Sequence, residues 1–162
     1  MYAVDVKAMT SSDYNIKDNA ILGSSLMNTA DGDKSAHIYT VDSNNYDNYF
    51  DEDGNLKDEV GDGHTLILTG NFTGKNFIIN KNITLTGEGA TIYNGTVTLN
   101  DGSSGSTVSN LKIINLDCTD KQGIILNEVT NCLIKNNNIT CSGASSFPIA
   151  LNPGSNNNVI SD

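Results

Sequence analysis

From Thr65 onward, apolar residues come in bursts of three or four, each closed by Asn, Gly, Ser or Asp. The bursts fall at 66–68, 77–79, 83–85, 91–93, 97–99, 111–114, 116–118, 124–126, 132–134, 139–141, 149–151 and 159–160. Most place a polar or small residue between two apolar ones, which is the period of a strand with one face buried. None is long enough for a helix. Antiparallel sandwiches use strands of about 5–6 residues joined by hairpins, and these bursts are shorter. Their order also repeats: strands starting at Ile83, Thr91 and Val97 are followed by Leu111, Leu116 and Ile124, then by Cys132, Ile139 and Ile149. A repeat of this size built only of strands predicts a solenoid whose coils stack on one another. The fold class expected is all-β, a right-handed parallel β-helix of about four coils from Thr65.

The region before the coils reads differently. Residues 38–41 predict a short strand. Asp42 or Ser43 is then the expected N-cap of a helix carrying Tyr46, Tyr49 and Phe50 at i, i+3, i+4, with Gly54 as its breaker. Aromatics at that spacing are read as core contacts in preference to a sugar-stacking platform. Such a helix would cap the stack and hide strand edges that invite pairing. Residues 1–37 show no sustained period and are expected to form a mobile or loosely packed lead-in. The expected organisation is a lead-in over 1–37, a cap over 38–64 and coils over 65–162, with the parent chain continuing into further coils.

One formula recurs inside the coils. Val97-Thr-Leu-Asn100, Ile124-Ile-Leu-Asn127 and Ile149-Ala-Leu-Asn152 lie 27 and 25 residues apart. In stacked coils, equivalent residues lie above one another at about 4.8 Å. Asn there can take the left-handed conformation of a tight corner and bond the amides above and below it. Asn100, Asn127 and Asn152 are therefore read as one ladder, and Asn110, Asn131 and Asn157 as a second.

Composition agrees, with 24 asparagines, 15 glycines and no tryptophan. Charge narrows the partners. Nine lysines, no arginine and 19 acidic residues give a net charge of −10. That balance argues against nucleic acid and anionic membrane surfaces, both of which select clustered basic residues. No apolar run approaches the roughly 18 residues of a membrane span, and the N-terminus lacks the apolar core of a signal peptide. Met1 is read as a start placed at or after a mature N-terminus.

Two longer segments carry a resemblance. "GSTVSNLKIINLDC" and "VTNCLIKNNNITCSG" resemble the right-handed β-helix repeats of pectate lyases and many surface proteins. The span "YTVDSNNYDNYFDEDGNLKDEVGDGHTLILTGNFTGKNFIINKNITLTGEGATI" resembles the entry region of adhesin-like proteins of methanogenic archaea, with His64 in "GDGHTL" a small departure. The resemblance runs over roughly 38–160. It implies an extracellular, cell-surface location, a longer parent chain and a non-enzymatic attachment role whose partners are glycans or the surface of another cell.

The alternative on this scaffold is a polysaccharide lyase or glycoside hydrolase. The candidate catalytic pair is Asp117 and Asp120, able to act as acid and base if about 5–9 Å apart across a groove. The absence of arginine removes a usual electrophile and substrate clamp of such lyases. The run from Asp51 to Asn55 fails the EF-hand spacing, since the first ligand position falls on Tyr49. No metal or cofactor is expected, and His37 and His64 are assigned no chemistry. Four sequons, at Asn71, Asn82, Asn94 and Asn138, are candidate glycosylation sites in a secreted chain. Cys118, Cys132 and Cys141 have neither zinc nor disulfide-framework spacing. Cys118 and Cys141 are expected inward at neighbouring levels, and all three as buried free thiols.

Overall fold

A computed structural model describes residues 36–162. The lead-in expected over 1–37 therefore lies outside the described residues, except for Ala36 and His37. The elements are, in order, β1 (Ile38–Val41), α1 (Tyr46–Tyr49), β2 (Thr65–Thr73), β3 (Phe77–Ile79), β4 (Thr84–Tyr93), β5 (Val97–Leu99), β6 (Thr107–Ser109) and β7 (Lys112–Asn115). These are followed by β8 (Gln122–Leu126), β9 (Leu133–Lys135), β10 (Asn138–Cys141), β11 (Phe147–Leu151) and β12 (Val159–Ser161).

Every pairing between these strands is parallel. A first sheet runs β1-β2-β4-β6-β9-β12 and a third runs β3-β5-β8-β11. Between them, the second halves of β2 and β4 pair with β7 and β10 to form a second sheet. The described residues form a parallel β-solenoid of about five turns, one more than expected, because β1 already forms a rung below β2.

Alternation along each strand builds the core. Leu66, Leu68, Leu85, Val108 and Ile134 fill it from the first sheet. Phe72, Ile92 and Ile113 enter from the second, and Phe77, Ile79, Val97, Leu99, Ile124 and Leu126 from the third. Nearly all are fully buried, and each such side chain contributes about 1.5–3 kcal/mol. The N-terminal end is closed by aromatic rings. Tyr46 and Phe50 stack at 5.0 Å and meet Phe77 edge-on, and Phe72 meets Phe77 likewise. The helix is one turn long and starts later than expected. Its N-cap position is Asn45, because Asp42 instead bonds the N–H groups of Asn44 and Asn45 and folds a turn of its own.

Three strand expectations are corrected. Residues 116–118 form a bend: Asp117 is left-handed (φ 54°), so the chain cannot stay extended, and Leu116 is exposed. Thr107–Ser109 is a strand with only one apolar residue, and Val108 alone anchors it. The repeat register shifts accordingly, aligning Lys112 with Asn138 and Thr107 with Leu133. Finally, β4 merges two expected bursts and β2 runs on past its single one to Thr73, because both bend at a bulge near Thr69 and Glu88–Gly89 without breaking the pairing.

Candidate functional surface

The corner after the third sheet holds the first asparagine set. Asn127 Nδ2 donates to Asn100 Oδ1 (2.8 Å), and Asn152 Nδ2 donates to Asn127 Oδ1 (2.5 Å). The left-handed conformation expected there is absent, since none of the three has positive φ. Backbone bonds such as Asn127 N–H to Leu99 C=O continue the parallel ladder through the corner. Asn80 follows β3 at the equivalent place, and "FIIN" repeats the formula the sequence reading used from Val97 onward.

The second asparagine set divides. Asn110, Asn131 and Asn157 are all left-handed (φ 56°, 59° and 56°), but they do not form one column. The register of β6 with β9 continues to place Asn110 beside Asn136, while that of β9 with β12 places Asn131 beside Asn157. Asn110 Nδ2 bonds Thr86 Oγ1, and Asn131 Nδ2 bonds Thr130 Oγ1, so neither joins an amide ladder.

A further use of asparagine was missed in the sequence. Asn137 Oδ1 accepts from Leu111 N–H and its Nδ2 donates to Val108 C=O, each at 3.0 Å. Asn158 does the same to Cys132 N–H and Val129 C=O. Fully buried Asn115 accepts from Gly95 N–H and donates to the carbonyls of Gly95 and Gln122. In each case the amide stands in for a peptide, satisfying backbone at a corner where no strand can. An Asn directly before a strand, as at Asn137 and Asn158, is the available signal.

Neither titratable candidate lines the depression at the cap. Asp117 and Asp120 are both exposed and left-handed in the bend between β7 and β8. Their N–H groups donate to Ser142 Oγ and Ala144 C=O, which fixes the bend on the next coil. The carboxylates make no hydrogen bond among the described residues. An open depression of about 520 Å³ sits elsewhere, at the cap, lined by Asp47, Phe50, Asp51, Glu52, Lys57 and Lys75. Most of its charges are engaged: Lys75 pairs with Asp47 at 3.2 Å and lies 4.3 Å over the Tyr46 ring. Asp51 accepts from the Asn55 side chain and from the N–H groups of Asn55 and Asp53, which holds its carboxyl below the usual range. The Asp51–Asn55 run is a self-bonded turn. Burial pushes the Tyr46 phenol upward, and Asp47 and Asp51 add to it.

Tyr46 and Phe50 are core residues and Tyr49 is half-buried against them. Buried His64 accepts from Gly61 N–H through Nδ1 and packs 4.9 Å from the His37 ring. The thiols are free, but only Cys132 is buried, and burial raises its pKa. Cys118 lies in the bend with its Sγ near Asn94 Oδ1, and Cys141 pairs with Asn115, not with Cys118. The inward stacking expected of those two is overturned by the bend.

What the early coils present outward is mostly polar, while the last coils expose Phe147, Leu151, Val159 and Ile160, and the Thr65–Thr107 column continues into Leu133 and Val159. On the first sheet, Thr65, Thr84 and Thr107 stand in register, and Ile67, Thr86, Ser109 and Lys135 form the parallel column two residues on. Ser109 Oγ donates to Thr86 Oγ1 at 3.0 Å, tying adjacent rungs. On the second sheet the columns are Asn71, Thr91, Lys112, Asn138 and Thr73, Tyr93, Ile114, Thr140. The acids of the coils sit at bends and at the β4 bulge. Among the described residues, no helix is long and apolar enough to cross a membrane. Comparison with family models, curated proteins and solved structures finds no match.

Proposed function

We propose that this chain is a non-enzymatic, extracellular attachment module, adhesin-like in kind, that displays or contacts glycans or the surface of another cell. The observation that carries the reading is the in-register set of half-exposed threonines on the first sheet, Thr65, Thr84 and Thr107 with Thr86 beside them. These threonine positions hold no carboxylate in a chain of net charge −10, and the acid next to them, Glu88, sits at the β4 bulge. A hydroxyl lattice repeating at the strand spacing of about 4.8 Å suits a polymer with its own repeating hydroxyls. Many weak contacts along such a surface raise avidity without a deep pocket.

An enzyme on this scaffold would gather acid and base in a groove, whereas Asp117 and Asp120 stand on an exposed bend. A glycan array run beside a polysaccharide-degradation screen tests the reading. Selective binding without release of reducing or unsaturated sugars is expected. Sugar release that vanishes in Asp117→Asn or Asp120→Asn would replace the attachment reading with catalysis.

A further inference from the structure

The four sequons are alike in sequence and unlike in the fold. At Asn94, the partner Thr96 is buried and its hydroxyl donates to Gln122 C=O at 2.8 Å, while Asn94 Oδ1 accepts from Cys118 Sγ. At Asn82, the side-chain amide lies over Gly105, close enough that a Cβ there would meet Nδ2 at 3.0 Å, and Thr84 is half-buried. All four asparagines are exposed, but the other two sequons differ in their threonines and in having no side-chain partner. Asn71 and Thr73 are both exposed, as are Asn138 and Thr140, and none of the four makes a side-chain hydrogen bond among the described residues.

The reason is strand alternation. In Asn71-Phe-Thr73 and Asn138-Ile-Thr140 the middle residue points inward and is held there: Phe72 is fully buried, and Ile139 packs on the core. Asn and Thr therefore both point outward. The two sequons also share a face. Asn71 pairs with Thr91, Thr91 with Lys112 and Lys112 with Asn138, so the two asparagines occupy one column of the second sheet. Three strand spacings of about 4.8 Å separate them.

We infer that Asn71 and Asn138 are N-glycosylation sites, that Asn82 and Asn94 are not, and that the second sheet is the glycan-bearing face of the solenoid. The inference rests on the extracellular reading above, because the modification needs that compartment. In the transfer, the Asn amide nitrogen loses a proton and bonds the anomeric carbon of a lipid-phosphate-linked oligosaccharide. The lipid phosphate leaves with the electron pair of the broken C–O bond. The enzyme must reach both the amide and the Thr hydroxyl; both residues are exposed at these two sequons, whereas Thr96 is buried, and at Asn82 the amide packs over Gly105 beside a half-buried Thr84. Chains at Asn71 and Asn138 would shield the second sheet, including half-exposed Tyr93 between them, and leave the threonine columns of the first sheet bare.

The test is intact-glycopeptide mass spectrometry of the full chain recovered from its own cells, with surface and interior fractions kept separate. Glycan on Asn71 and Asn138, with Asn82 and Asn94 bare, is the expected result. The Asn71→Gln and Asn138→Gln variants should each lose one glycan mass, the double variant should return to the bare polypeptide mass, and Asn82→Gln should change nothing. A surface fraction bare at Asn71 and Asn138, or modified at Asn82 or Asn94, overturns this assignment and leaves the attachment reading standing. A chain found only in the interior fraction, and bare, overturns both.

Discussion

Asparagine serves three physical roles in these coils, and each carries a different energetic consequence. In the ladder, Asn127 both donates and accepts, while Asn100 and Asn152 each make one amide bond along it. Asn127→Ala removes both bonds and leaves two amide groups without their partners. It is expected to cost about 1–3 kcal/mol, and more than Asn152→Ala, in urea unfolding of the two variants. Equal losses would mean that the ladder does not act as a chain. Asp51 gives a pH-dependent counterpart. Its folded pKa is depressed, so its contribution is complete above the unfolded value of about 3.9 and is lost as pH falls through the folded value. The near-UV signal of the cap tyrosines should therefore weaken on acidification below about pH 4, and Asp51→Ala should blunt that dependence. The corner role of asparagine was legible from the spacing of Leu-Asn pairs. Which corners are left-handed was not, because the backbone conformation at Asn110 or Asn131 depends on a register the sequence only approximates.

At the scale of elements, burial decides more than propensity. A four-residue helix without a side-chain cap has little intrinsic stability. What holds α1 is the contact of Tyr46 and Phe50 with Phe77 and Phe72. Phe50→Ala is expected to destabilise the protein by about 3–5 kcal/mol and to speed amide exchange in β3 ahead of β8. An unchanged β3 would show that the cap does not close the stack. The cap was readable from Tyr46, Tyr49 and Phe50 at helical spacing. Strand β6 was not, since "TVS" carries a single apolar residue, and its identity comes from pairing with β4 and β9. The false strand at 116–118 arose the opposite way. Leu116, Asp117 and Cys118 alternate correctly, but the left-handed turn at Asp117 overrides the pattern.

At the scale of the molecule, stacking converts a loose repeat into regular faces that differ in what they expose. The cap gathers charge that is mostly engaged, the second sheet carries two sequons with both residues exposed, and the first sheet sets threonines in register with Glu88 at its bulge. The solenoid itself was plain in the sequence because short alternating bursts closed by turn residues satisfy few other folds. The threonine columns were not, because Thr65, Thr84 and Thr107 come together only through spacings that vary from coil to coil. The most direct measurement is a binding titration on whichever polysaccharide or cell surface the unaltered chain retains. It would compare Thr84→Glu/Thr107→Glu with Asp117→Asn/Asp120→Asn and follow sugar release in the same samples. The account predicts that the threonine double variant loses binding at least tenfold, that the aspartate variant binds as before, and that no sample releases sugar. Binding untouched by the glutamates, or sugar release abolished with the aspartates, would contradict it.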